Sequence, residues 1–188
     1  MAPLIILSGP SGSGKSTIIR RLIDEQPVPL RLSVSVTTRK KRPGEVPGVH
    51  YHYWSVPAFE EAKDAGRFLE WAQVHANYYG TLEDEVSPWR EKGIGVLLDI
   101  DVQGWEQVTK RCPDAISVFV RTSDLAILEA RLRGRATESE DAIQRRLRNA
   151  RAELVRADEY DFQVVNDDLE SALARVRTIV VSAFAAKR

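Results

Sequence analysis

The sequence predicts an α/β fold, a parallel sheet with helices on both faces. Two features carry that expectation. Short apolar runs alternate with segments of helical periodicity along most of the chain. The first of these runs ends in a glycine-rich turn that opens directly into a helical segment.

The elements follow in order. Leu4–Ser8 is a short apolar run, expected as a buried strand, and 14–24 has helical spacing. Residues 95–100 (Gly-Val-Leu-Leu-Asp-Ile) form a second buried strand, followed by a helix near 102–111. A third strand is expected over 115–120, with a helix from about 124 to 133. The fourth, 162–165, precedes a helix from about 168 to 186. Two stretches interrupt the alternation. Residues 31–82 are rich in Thr, Tyr, Pro and Gly and read as a small β-containing insertion. Residues 134–157 are polar and arginine-rich, too poor in large apolar residues for a core, and read as a lid. Within that stretch Thr137 and Glu140 form a capping box for a helix continuing through Leu147. The expected layout is one domain over 1–188. Its core is 1–33, 83–133 and 158–188, with the insertion over 34–82 and the lid over 134–157. There is no internal repeat and no low-complexity segment.

Composition narrows the function classes. The chain has 188 residues, 43% hydrophobic and 29% charged, as expected of an ordinary soluble globular protein. Basic and acidic residues balance at 27 each, so net charge points neither to nucleic acid nor to a membrane as partner. The single cysteine, Cys112, excludes an intramolecular disulfide and a multi-cysteine zinc site, and reads as a half-buried thiol. The first seven residues lack a basic n-region and are too short for a signal peptide. No apolar run approaches the roughly 20 residues needed to span a bilayer. A reducing cytoplasm is the expected compartment. His50, His52 and His75 lack metal-ligand spacing and read as surface or structural, and the four tryptophans as packing.

The chemistry begins at Gly9-Pro10-Ser11-Gly12-Ser13-Gly14-Lys15-Ser16, a full match to G-x-x-x-x-G-K-[ST] between a strand and a helix. In such a P-loop, glycines let backbone N–H groups converge on phosphate oxygens, and the helix N-terminus adds partial positive charge. Lys15 reaches the β- and γ-phosphates, and the Ser16 hydroxyl is placed to ligate Mg²⁺. Asp99 ends an apolar strand, where P-loop proteins place a carboxylate for Mg²⁺ or its waters. Helix capping is the competing role for both Asp99 and Asp101. This motif specifies nucleoside triphosphate binding and leaves the acceptor open.

The acceptor signals lie in the insertion. Ser35-Val36-Thr37-Thr38-Arg39-Lys40-Lys41-Arg42-Pro43-Gly44-Glu45 sets two arginines three apart, a fork suited to a phosphate. Phe68-Leu69-Glu70-Trp71-Ala72 and Asn77-Tyr78-Tyr79-Gly80-Thr81 follow. Singly, these tyrosines read as strand packing and the arginines as a solvated face. Together with Asp-Ile-Asp-x-Gln-Gly, Gly-Arg-x-Thr and Val-Asn-Asp-Asp further on, they fall in one order, and over nearly its full length the chain resembles the guanylate kinases.

That resemblance implies a P-loop-type sheet with a GMP-binding insertion and an arginine-rich helical lid, and Mg²⁺-dependent phosphoryl transfer from ATP to GMP or dGMP. It implies that Arg39, Arg42, Tyr51 and Tyr79 hold the GMP phosphate, and that Ser35, Glu70, Thr81 and Asp101 read the guanine. Arg131, Arg135 and Arg146 would belong to the lid and close over the transferring phosphates, and Asn166 would lie near the adenine. Lys15, Arg39 and the lid arginines would form the catalytic set. The implied partners are ATP and GMP, with the chain a monomer or homodimer. The chemistry of guanine agrees. A carboxylate such as Glu70 accepts from both N1–H and N2–H₂, while a hydroxyl of Ser35 or Thr81 donates to O6. A good bidentate base contact discriminates by roughly 1–3 kcal/mol. Lys41, Val36, Ala76, Ala136 and Trp105 depart from the usual family pattern.

Overall fold

The computed structural model describes residues 1–74, 76–134 and 139–186. The chain runs through β1 (Leu4–Ser8), α1 (Lys15–Glu25), β2 (Leu30–Leu32), β3 (Val36–Thr37) and β4 (His52–Tyr53). It continues through α2 (Val56–Asp64), β5 (Phe68–Val74), β6 (Asn77–Leu82), α3 (Ser87–Glu91), β7 (Gly95–Asp99) and α4 (Val102–Arg111). It ends with β8 (Ile116–Arg121), α5 (Leu125–Arg133), α6 (Glu140–Val155), β9 (Phe162–Val165) and α7 (Leu169–Ala186).

Five strands form one sheet in the order β2-β7-β1-β8-β9, and every pairing in it is parallel. Parallel neighbours need crossover connections, and the helices supply them. β1 lies at the centre, and all five of its residues are buried. Alternate side chains of a strand point to opposite faces. Accordingly Ile5 and Leu7 join a core with Ile18, Leu22, Val176 and Val180 of α1 and α7. Leu4 and Ile6 join a second core with Trp105 and Val108 of α4. Helices therefore cover both faces, as the alternation of apolar runs predicts. Because the strands share one direction, their carboxyl ends share one edge. Leu7 pairs with Asp99, which sets the turn after β1 beside the end of β7.

Residues 36–82 build a second sheet, ordered β4-β3-β6-β5. Phe59 of α2 covers it, stacked against Phe68 at 4.3 Å and Tyr78 at 5.1 Å. Val36 is fully buried in this small core, which accounts for an apolar residue there. The helix α2 is an addition to the expected β-containing insertion. Ser55 caps it by accepting from the Ala58 N–H, and Pro57 sits in its first turn. β5 is fastened to the main body. Leu69 is buried in the second core, Gln107 exchanges two hydrogen bonds with the Trp71 backbone (3.2 and 2.8 Å), and Arg111 donates to the Phe68 carbonyl at 2.6 Å.

Two expectations about the lid stretch need correction. The cap of α6 is Ser139, which accepts from the Ala142 N–H; Thr137 lies outside the described residues. The helix runs on past Leu147 to Val155, and it does have an apolar stripe. Ile143, Leu147 and Ala150 are buried against Leu128 and Leu132 of α5. Three residues at helical spacing suffice for one-sided packing on a neighbouring helix. Trp105 stacks on Tyr160 at 4.2 Å, which gives the bulky residue after Gly104 a packing role. Trp71, by contrast, is 37% exposed. Cys112 is half-buried beside the second core, and burial raises its thiol pKa. His50 accepts from the Val46 N–H and His52 lies 3.4 Å from Glu85, while His75 lies outside the described residues. No helix among the described residues is long and apolar enough to cross a membrane.

Candidate active site

The turn after β1 is shaped by backbone that only glycine adopts easily. Gly14 has φ 87°, and a Cβ there would lie 2.1 Å from Asn166 Nδ2. Asn166 is buried beneath the turn, and its Nδ2 donates to the Ser13 carbonyl at 2.7 Å. Arg131 donates in turn to the carbonyls of Asn166 (2.7 Å) and Asp167 (3.2 Å). Asn166 and Arg131 thus brace the turn from behind. Arg131, assigned to the lid by resemblance, lies in α5.

In front of the turn lies a cavity of about 400 Å³ lined by 9–17, Tyr51, Asp99, Ile100, Asp101 and Glu153. Lys15 and Ser16 open α1, and the first N–H groups of a helix have no intrahelical acceptor. They therefore make a ready anion site. Burial lowers the Lys15 pKa to about 8, with the charges of Glu153 and then Asp101 opposing that shift. Lys15 pairs with Asp99. The capping role falls to Asp101, whose Oδ1 accepts from the Gly104 N–H at 2.9 Å; Asp99 is left facing the cavity.

A second cavity of about 290 Å³ adjoins the first and shares Tyr51, Asp99, Ile100 and Asp101 with it. Ser35, Glu70 and Tyr79 line its remaining walls together with Ala72, Val74 and Gly80. Glu70 is 5% exposed. Burial, reinforced by the charge of Asp101, raises its pKa to about 7 against the Thr81 hydrogen bond. Thr81 does not line this cavity: its hydroxyl donates to Glu70 Oε1 at 2.6 Å and so orients the carboxylate. Gly104 makes room on the other side, since a Cβ there would lie 2.7 Å from Glu70 Oε2. The glycine of the Asp-Ile-Asp-x-Gln-Gly motif is thus explained by close approach to Glu70.

Arg39 lies 5.4 Å from the centre of the ring of Tyr51, which lines this second cavity, and Tyr51 and Tyr79 meet edge-to-face at 6.1 Å. Glu45 grips Arg39 through two hydrogen bonds of 2.8 and 3.1 Å, and also accepts from the Arg42 N–H (2.7 Å) and the Tyr53 hydroxyl (2.8 Å). The Arg39 hydrogen bond leads the groups that hold Glu45 down to about 2. Arg42 is exposed and enters this cluster through its backbone. From α6, Arg146 donates to the Ser11 hydroxyl at 2.8 Å, so this helix already touches the P-loop. Arg135 lies outside the described residues.

Sequence reasoning passed over two acids. Glu45 ends the quoted arginine segment, and its position after Gly44 was the available signal. Glu153 carries no motif; burial and the charge of Asp101 lift its carboxyl to about 7, and Lys15 opposes this.

A phosphate-cradling turn at the carboxyl edge of a parallel sheet, with a second cavity holding a buried carboxylate across a shared wall, defines the class of P-loop kinases acting on small phosphorylated acceptors. The family model for guanylate kinase matches residues 1–183, and the chain belongs to the guanylate kinase family. It is 51% identical to the guanylate kinase of Rubrobacter xylanophilus over 169 residues, covering 90% of this chain and 88% of that one. It is 48% identical to the guanylate kinase of Rhizobium etli over 178 residues, covering 94% and 80%. The crystal structure of guanylate kinase from Anaplasma phagocytophilum superimposes with a TM-score of 0.78 at 28% identity, covering 96% of this chain and 85% of that one.

Proposed function

We propose that this chain transfers the γ-phosphoryl group of ATP to GMP, giving ADP and GDP. The observation that carries the reading is the shared wall: the P-loop cavity and the Glu70 cavity meet at Tyr51, Asp99, Ile100 and Asp101. A donor phosphate in one and an acceptor phosphate between them would stand face to face. In this reading residues 34–82 hold GMP and 134–157 form the lid. Glu70 accepts from guanine N1–H and N2–H₂, Ser35 donates to O6, and Thr81 and Gly104 keep the Glu70 carboxylate in place. Adenine would turn an unprotonated N1 toward Glu70, leaving a buried carboxylate without its donor.

Arg39 and Arg42, with Tyr51 and Tyr79, take the acceptor phosphate, Glu45 holding the Arg39 guanidinium in register. A phosphate monoester has a second pKa near 6, so its oxygens are largely ionised at neutral pH and need no general base. One acceptor oxygen forms the new bond to the γ-phosphorus. The bond to the β,γ-bridging oxygen breaks, and ADP leaves. Backbone N–H groups of the P-loop, Lys15 and Arg146 face the charge spread over the transferring group. The Ser16 hydroxyl and the Asp99 carboxylate line the same cavity, a hard-oxygen donor pair that fits Mg²⁺. Bound there with the phosphates, the ion would neutralise their charge. Closure of α6 over both substrates would exclude water.

A coupled ADP-release assay with ATP–Mg²⁺ and each of GMP, AMP, CMP and UMP tests the reading. Turnover with GMP alone, largely lost in Glu70→Gln, is the expected result. Equal turnover with AMP would refute the guanine reader.

A further inference from the structure

The P-loop cavity has an unusual charge balance for a site that takes a polyphosphate. Among its described lining side chains Lys15 is the one cation, and three carboxylates face it: Asp99, Asp101 and Glu153. Two of the three have work that fixes them. Asp99 pairs with Lys15, and Asp101 caps α4 through its Oδ1. Glu153 is different. It reaches the cavity from α6, seven residues after Arg146 and so on the same helical face. Arg146 meets the P-loop at the Ser11 hydroxyl, and Glu153 meets the cavity near Lys15 and Asp101, whose charges it feels through space. The helix therefore brings a cation to Ser11 of the loop and an anion into the cavity in front of it.

An anion at that place costs affinity for any phosphate chain that enters alone. Free ATP is tetra-anionic, while ATP carrying a divalent cation has half that charge and presents the cation toward the carboxylates. We propose that Glu153 is a specificity-determining residue that selects cation-bound over free nucleoside triphosphate when α6 closes on the P-loop. Its carboxylate opposes uncompensated polyphosphate charge, and the opposition is relieved when a divalent cation accompanies the phosphates. The inference rests on the reading of ATP as the donor.

Calorimetric titration at pH 8, where Glu153 is ionised, separates the possibilities. The wild-type chain, Glu153→Gln and the charge-keeping Glu153→Asp are each titrated with ATP in EDTA and with ATP in excess Mg²⁺. Glu153→Gln is expected to bind free ATP about tenfold more tightly than wild type, or about 1.4 kcal/mol. Its affinity for the Mg²⁺ complex should change by less than about twofold, since the cation offsets the charge that was removed. Glu153→Asp should keep the wild-type preference. Glu153→Ser, which removes the charge without an isosteric amide, should reproduce the Gln result and guards against a folding defect of one variant. Unchanged affinity for free ATP in both neutral variants would overturn the proposal, as would an equal gain for both nucleotide forms. Failure of the wild-type chain to bind ATP in either form would instead overturn the kinase reading.

Discussion

Glu70 carries a prediction that needs no nucleotide. Replacing it by Gln keeps an acceptor oxygen for the Thr81 hydroxyl and removes the ionisation. In the folded chain burial and Asp101 raise the Glu70 pKa to about 7, from an ordinary value of 4.5. The folded state therefore holds this proton more tightly than the unfolded one. Stability from the raised pKa is fully present below 4.5, falls as pH rises from 4.5 to 7, and is gone above that. At about 1.4 kcal/mol per pKa unit, that interval is worth on the order of 3 kcal/mol. Gln has nothing to titrate there, so the variant gains on the wild type as pH rises. The assay is urea unfolding without nucleotide at pH 5, 6, 7 and 8. The difference in unfolding free energy between the two proteins should move in favour of Glu70→Gln by about 2–3 kcal/mol between pH 5 and 8. A difference that stays flat across this range would refute the argument, for it would mean that Glu70 ionises as freely in the folded chain as in the unfolded.

Three further outcomes are expected. Glu45→Ala releases Arg39 from its two hydrogen bonds, and in the proposed reaction should raise the KM for GMP several-fold while the KM for ATP stays within twofold; equal effects on both would count against a local role. Asn166→Ala removes the donor to the Ser13 carbonyl. It should cost about 1–2 kcal/mol of stability and weaken ATP binding, read by thermal denaturation with and without ATP; intact ATP affinity would show that the brace does not shape the cradle. Trp105 is buried against Tyr160, and its indole N–H has no partner among the described residues. Trp105→Phe should therefore stay within about 1 kcal/mol of wild type, whereas Trp105→Ala should lose about 3–5 kcal/mol by denaturant unfolding; a large loss with Phe would mean the N–H has a partner that matters.

What could be read from the chain depended on how local each signal was. The main strands were legible because buried parallel strands are continuous apolar runs, and β1, β7 and β9 fall within a residue of expectation. β2 escaped because three residues carry no period, and α2 because its Ser55–Pro57 start lies in a segment dominated by strand-forming aromatics. The P-loop was legible because its geometry is written in consecutive residues. Asn166 was placed near the adenine by resemblance alone; its bond to Ser13 under the loop had no local signal, since that contact is set by how β9 docks beside β8. Thr81 was expected to address the base; its bond to Glu70 was not legible, because it comes from the cross-strand pairing that puts the two side by side. Glu153 had no local signal. Its meaning comes from the direction of α6, which the Ile143–Leu147–Ala150 stripe fixes against α5.

The fastening of β5 to the main body has a consequence for the order of events. Leu69 is plugged into the second core, and Gln107 and Arg111 of α4 hold the strand by its backbone on either side of Glu70. Arg39 and Tyr51 stand two strands farther out, on the segment linking β3 to β4. In the proposed reaction the base is thus judged by a strand bonded directly to the main body, and its phosphate is gripped by a segment two strands away from it. A wrong base meets a gauge that does not yield, and the outer segment has nothing to close upon.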